Sequence, residues 1–194
     1  MTAYLIAAIA GYLLGSIPFG YLLTRLAGLG DIRQVGSGNI GATNVLRTGR
    51  KDIAAATVLL DAGKGAAAVL LATRFENPIL PLIAGAFAVI GHCTSVWMRG
   101  RGGKGVATGF GTILALAWPA GLLAAAIWLA VAIATRRSSA AAIAACLAAP
   151  ALMLALRTPK MAFVTLLVSA IIIFRHHTNI TRLLAGTEPR IGAK

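Results

Sequence analysis

The chain has 194 residues, of which 58% are hydrophobic and only 12% charged, and its 18 Lys and Arg against 5 Asp and Glu give a formal net charge of +13. With a mean hydropathy of +0.84, it departs from an ordinary soluble domain, in which about a quarter of residues are charged. The positive excess therefore points to an anionic membrane surface and anionic substrates, and away from nucleic acid.

The pattern reads as an all-α, polytopic membrane helix bundle, with residues 1–194 forming a single membrane domain. Seven spans are expected, at about 3–24, 53–73, 78–97, 105–117, 119–135, 139–156 and 160–174. The first lacks a basic start and a small-residue cleavage site, so it is expected to remain as an unbroken mature span. The fourth and fifth share one apolar run from Gly105 to Thr135. As a single helix this run would be about 46 Å long, too long for ~30 Å of hydrocarbon. Pro119 and Gly121 offer a break, so a tight hairpin is expected there.

Basic residues divide unequally between the two sides. Arg25, Arg33, Arg47, Arg50, Lys51, Arg99, Arg101, Lys104, Arg136, Arg137, Arg175, Arg182, Arg190 and Lys194 fall on one side, and Arg74, Arg157 and Lys160 on the other. The positive-inside rule then puts the N-terminus outside and the C-terminus in the cytosol. Merging the fourth and fifth spans would break this alternation.

The glycine-rich polar stretches all lie on the basic side. In 25–52, Gly36-Ser37-Gly38-Asn39 can offer a nest of N–H groups, Thr43-Asn44 can cap a helix, and Arg47 follows one turn later. In the second loop Gly102, Gly103 and Gly105 surround Lys104, at the start of a helix whose dipole favours an anion. The pattern is not a Walker A loop, because Met98 and Gly105 stand where Gly and Ser or Thr are needed. Within the second span Asp61 and Lys64 stand three residues apart, suited to pair with each other or, for Lys64, to reach a ligand. His92, His176 and His177 are the histidines, and the whole acidic inventory is Asp31, Asp52, Asp61, Glu76 and Glu188. No triad, carboxylate dyad, metal cluster or cofactor motif can be assembled from these residues. The two cysteines, Cys93 and Cys146, fit no metal or disulfide spacing. The chemistry must therefore need little acid–base help: a donor that already carries a good leaving group, with cations positioning two anions. A carrier of phosphorylated metabolites is the alternative, although no duplicated halves are visible.

In order along nearly the whole chain, Gly15-Ser16-Ile17-Pro18-Phe19-Gly20, Gly36 to Val45 with Arg47, Asp61-Ala62-Gly63-Lys64-Gly65, Gly91-His92, Gly102 to Thr108 and Asn179 to Glu188 resemble the bacterial acyl-phosphate:glycerol-3-phosphate acyltransferases. The resemblance implies a seven-helix enzyme of the bacterial cytoplasmic membrane with its active site facing the cytosol. It would move a fatty acyl group from acyl phosphate to the 1-hydroxyl of glycerol 3-phosphate, giving lysophosphatidic acid and phosphate. By the same resemblance Gly36, Gly38, Asn39, Thr43, Asn44, Gly102, Gly103 and Gly105 would cradle substrate, joined by Lys64. Arg47, Ser139 and Asn179 would hold glycerol 3-phosphate, and Ser37, Lys104 and His176 would lie at the chemistry. No cofactor or metal is implied, and the donor's phosphate would take the acceptor's proton. The partners implied are the lipid bilayer and a soluble enzyme that makes acyl phosphate. The chain departs from the family pattern at Thr94-Ser95, where an aromatic-proline pair is usual, at Gly100-Arg101 in place of Phe-Lys, and at His177 in place of Arg.

Overall fold

A computed structural model describes residues 1–192; Lys194, counted above with the basic tail, lies outside the described residues. Ten α-helices and no strand occur among the described residues: α1 (Thr2–Ser16), α2 (Phe19–Leu26), α3 (Ala42–Val45), α4 (Lys51–Ala72), α5 (Leu80–Cys93), α6 (Val106–Leu116), α7 (Trp118–Thr135), α8 (Ser138–Leu156), α9 (Pro159–Phe174) and α10 (His177–Leu184).

The surface is inverted relative to a soluble protein. Leu5, Ile6, Leu59, Leu71, Leu129, Ile133, Leu154 and Phe163 are exposed, while Thr57, Asp61, Lys64, His92 and Thr108 are buried. Such a bundle suits a hydrocarbon solvent, in which small residues and close backbones replace the hydrophobic drive to associate. A Cβ on Gly15 would collide with the Ala88 carbonyl, joining α1 to α5, and one on Gly111 would collide with Ala62, joining α6 to α4.

Three breaks shape the bundle. The unbroken first span expected from sequence is interrupted at Ile17-Pro18. Proline has no N–H to continue the ladder, so carbonyls at the end of α1 lose their partners. Ser95 Oγ donates to the Ser16 carbonyl at 2.5 Å, and Lys64 Nζ donates to the Ile17 carbonyl at 2.6 Å. The second break falls at Ala117, two residues before the proline that suggested it; Ala117 is extended (φ −158°, ψ 85°), and Trp118-Pro119 open α7, where proline costs nothing. There α6 and α7 fold back on each other, so that Gly121 meets Leu114. The third bend, 63° between α9 and α10, comes after Phe174.

Five segments are long and apolar enough to cross a membrane, and α9 with α10 makes a sixth as a bent pair. With 11 residues, α6 extends only about 16 Å, roughly half the hydrocarbon thickness. It is sheltered by its neighbours instead, with Thr108, Gly109, Gly111, Thr112 and Ile113 buried.

Candidate active site

The polar loops meet where the ends of α5 and α9 approach the starts of α6 and α8. The first loop is organised from within. Gly36 and Gly38 adopt left-handed φ of 52° and 68°, a region that disfavours any side chain. Beneath them Asn44, buried in α3, accepts from the Ser37 amide at 3.1 Å and donates to the carbonyls of Ile32, Val35 and Asn39 at 3.1, 2.8 and 2.9 Å. Asn44 is thus the loop's internal scaffold, not a helix cap and not a free ligand group; Gly41 occupies the N-cap of α3. Asn39 likewise turns its side-chain oxygen to the Gly41 amide, at 2.8 Å. Arg47 lies directly under Gly36, where a Cβ would strike its guanidinium. Thr43 Oγ1 stands 3.2 Å from Ser138 Oγ, which brings this loop to the start of α8.

The second loop corrects an expectation. The resemblance implied that Gly102 and Gly103 cradle substrate, yet the Gly102 amide donates to the Cys93 carbonyl at 3.2 Å and the Gly103 amide to the His92 carbonyl at 2.9 Å. Their carbonyls accept from Arg175, through Nη2 to Gly102 at 3.2 Å and Nε to Gly103 at 3.3 Å. Glycine is required at 103 because the His92 ring occupies the place of a side chain. Among the described residues, the amides of Gly36, Asn39, Lys104 and Gly105 donate to no protein acceptor.

Lys104 reaches from this loop to the tail, donating to Asn179 Oδ1 at 2.5 Å. Asn179 in turn donates to Glu188 Oε1 at 2.6 Å, Ser139 Oγ donates to the same oxygen at 2.7 Å, and Arg182 Nε donates to Oε2 at 2.7 Å. Five residues from the second loop, α8, α10 and the tail therefore form one network around a single carboxylate. Against its burial, the bonds from Ser139, Asn179 and Arg182 hold Glu188 below the ordinary carboxylate range. Burial, with Arg182, Arg47 and Arg175 nearby, pushes the Lys104 ammonium down to about 8, against the pull of Glu188.

His176, just beyond α9, directs Nδ1 at the Ile172 carbonyl, 2.7 Å away. A carbonyl only accepts, so Nδ1 carries a proton and the neutral ring keeps its lone pair on Nε2. Burial pushes His176 down to about 4 despite that hydrogen bond. It is a neutral hydrogen-bonding group at physiological pH and a weak base.

Of the residues expected at the site, Lys104, Ser139 and Asn179 share the network, Arg47 lies within its electrostatic reach, and His176 flanks it. Ser37 is exposed on the first loop, with its amide held by Asn44. Lys64 does not join them: its ammonium is spent on Asp61 Oδ1 at 2.8 Å and on the Ile17 carbonyl. Gly105, left-handed at φ 87°, starts α6 against Cys93 and Val89. Glu188 and Arg175 were given no role from sequence. Glu188 carried a signal, as the lone acid in a basic tail; Arg175 carried none, because positive-inside bias already accounts for an arginine there. A cleft of about 490 Å³, lined by Asp31, Arg33, Gln34, Gly38, Gly100, Arg101, Gly102 and Arg175, opens between the two loops.

Residues 5–186 match the family described as glycerol-3-phosphate acyltransferase. A glycerol-3-phosphate acyltransferase of Maricaulis maris is 57% identical over 197 residues, covering 100% of this chain and 91% of that protein. One from Rhodospirillum rubrum is 56% identical, covering 97% and 91%. Among solved structures, PlsY (YgiH), an integral membrane glycerol 3-phosphate acyltransferase, superposes in its glycerol 3-phosphate form with a TM-score of 0.91 at 36% identity, covering 99% of this chain and 96% of that one. Its lysophosphatidic acid form gives a TM-score of 0.90 at 35% identity, with 98% and 95% covered. The metabolite-carrier alternative falls with these matches. The chain belongs to the glycerol-3-phosphate acyltransferase family and is a multi-pass integral membrane acyltransferase.

Proposed function

We propose that the acyl donor is acyl phosphate and that the acyl group goes to the 1-hydroxyl of glycerol 3-phosphate. The hydroxyl oxygen bonds to the acyl carbonyl carbon, the bond from that carbon to the phosphate oxygen breaks, and inorganic phosphate leaves with the hydroxyl proton. The observation that supports this donor most is what surrounds Lys104. Its near neighbours are Asn179, Arg47, Arg175, Arg182 and a Glu188 already held by three donors, with a weakly basic His176 alongside. Cations can seat two phosphates, and the leaving phosphate can accept the proton that no protein group is suited to take. In this reading Arg47, Lys104, Ser139, His176 and Asn179 hold glycerol 3-phosphate. The first loop and the N-terminal end of α6 receive the donor's head group, with the amides of Gly36, Asn39 and Gly105 and the Ser37 hydroxyl as donors.

Purified enzyme given acyl phosphate and labelled glycerol 3-phosphate is expected to form lysophosphatidic acid and phosphate, and to ignore acyl-CoA. Product from acyl-CoA alone would overturn the donor assignment. Ser37→Ala is expected to retain measurable turnover, since it removes one phosphate donor. Complete loss, together with a trappable acyl-enzyme in the unaltered protein, would make Ser37 a nucleophile instead.

The same reading treats the chain as one membrane unit of seven spans, counting short α6 and broken α1–α2 as one span each. The N-terminus lies outside and the site faces the cytosol of the bacterial inner membrane, where a soluble enzyme supplies acyl phosphate. The basic bias supports this orientation. Cysteines introduced as Gly100→Cys and Thr187→Cys are expected to label from the cytosolic side, and Glu76→Cys from the other. Labelling of all three from one side would refute the topology.

A further inference from the structure

Arg175 ends α9, and its backbone amide donates to the Ile171 carbonyl at 2.9 Å. Its side chain then crosses to the second loop, where Nε and Nη2 grip the carbonyls of Gly103 and Gly102. On the other side of the same peptides, the end of α5 takes both amides through the carbonyls of His92 and Cys93. Every backbone donor and acceptor of two consecutive glycines is thereby engaged. Glycine peptides are the most easily reoriented in a chain, so a pair held at all four polar groups is a built constraint.

The constraint matters because Lys104 is the next residue in the chain. Lys104 leaves this fixed backbone on a long flexible stem and must place its ammonium on the buried Asn179, 2.5 Å away. The turn that carries Arg175 also carries His176 and leads directly into α10, where Asn179 sits. One guanidinium thus ties the base of Lys104 to the element that carries its target. A lysine at this position would present a single point charge; the fork of arginine matches two adjacent carbonyls.

We propose that Arg175 is a positioning residue for acyl transfer, acting through Lys104 by pinning the Gly102 and Gly103 carbonyls so that the ammonium meets Asn179 beside His176. The proposal rests on the reading in which Lys104 holds glycerol 3-phosphate. It treats Arg175 as touching no substrate itself.

The test uses the purified full chain, with Arg175→Gln, Arg175→Lys, Lys104→Gln and the double variant Arg175→Gln/Lys104→Gln. KM for glycerol 3-phosphate is expected to rise about 10- to 100-fold in Arg175→Gln and by less in Arg175→Lys, and Arg175→Gln is expected to add under about 3-fold in the Lys104→Gln background. A merely structural arginine would lower the folded fraction, and so apparent kcat, while leaving KM in place. That outcome overturns the proposal, as does a full additive effect in the double variant. Where Arg175→Gln does not fold, Arg175→Lys carries the test, and a wild-type KM in it is equally fatal. Glycerol 3-phosphate affinity measured by calorimetry without donor keeps the two readings apart. If the unaltered protein binds glycerol 3-phosphate but makes no product from acyl phosphate, the donor assignment fails. If it turns over normally and the Arg175 variants bind as it does, the positioning role fails.

Discussion

Lys104→Ala is expected to lower kcat/KM for glycerol 3-phosphate by about 10- to 150-fold while the bundle stays folded, because it removes a charge-assisted phosphate contact worth about 1.5–3 kcal/mol. The fold should survive because Lys104 makes no buried ion pair: its one side-chain partner is Asn179, which keeps Glu188. The same residue fixes a pH signature. The free-enzyme ammonium sits near 8, where burial and Arg182, Arg47 and Arg175 hold it, with only Glu188 opposing. A group depressed in this way carries its charge below that value and loses it above. kcat/KM, which reports the free enzyme, should therefore fall as pH rises through about 8. Lys104→Arg should retain activity at the alkaline end, since a guanidinium does not titrate there. His176, held near 4, would set any limb far on the acid side. An alkaline limb that persists in Lys104→Arg would assign it to another group, and near-normal turnover of Lys104→Ala would remove Lys104 from the clamp.

The long apolar segments were legible because hydrocarbon demands a minimum length of apolar residues. The second span was expected at 53–73, where α4 runs over Lys51–Ala72; the sixth was expected at 139–156, where α8 runs over Ser138–Leu156. The turn near Pro119 was legible for the same reason, from a run too long for one helix, although the break itself falls at Ala117. The break at Ile17-Pro18 was missed although the proline was in plain view. Its compensation comes from Lys64 and Ser95, residues distant in sequence that no local pattern connects. Glycine spacing marked where the backbone comes close to something, but not what it meets. At Gly36 the neighbour is Arg47, and at Gly103 it is His92. The same limit hid Glu188 and Arg175, whose partners on α8, α10 and the second loop are set by tertiary packing alone.

Asp61 and Lys64 lead to the second large effect, on stability. Both are almost fully enclosed, at 2% and 3% exposure, with Lys64 Nζ 2.8 Å from Asp61 Oδ1 and His92 Nδ1 3.5 Å from the same oxygen. Removing one partner of such a pair leaves a charge with neither water nor counter-ion, a loss of about 3–5 kcal/mol. Asp61→Asn strands the ammonium on the Ile17 carbonyl, and Lys64→Met strands the carboxylate and leaves that carbonyl with the Phe19 amide alone. Each single variant should lower the thermal unfolding midpoint of the purified protein sharply and reduce its yield. The double variant Asp61→Asn/Lys64→Met carries no unpaired charge; what remains is the loss of one charge-assisted bond to the Ile17 carbonyl, which keeps the Phe19 amide at 3.2 Å, a cost of about 1.5–3 kcal/mol. It should therefore unfold at a higher temperature than either single variant. Additive losses would mean that the two residues act separately and that the pair does not hold the break. Because α2 begins just past that break and packs Gly20 against the Ile40 carbonyl of the first loop, the single variants should also weaken glycerol 3-phosphate binding. The double variant should recover binding only as far as the Phe19 amide alone holds the Ile17 carbonyl, which makes Lys64 a support of the site from within the membrane and not a ligand in it.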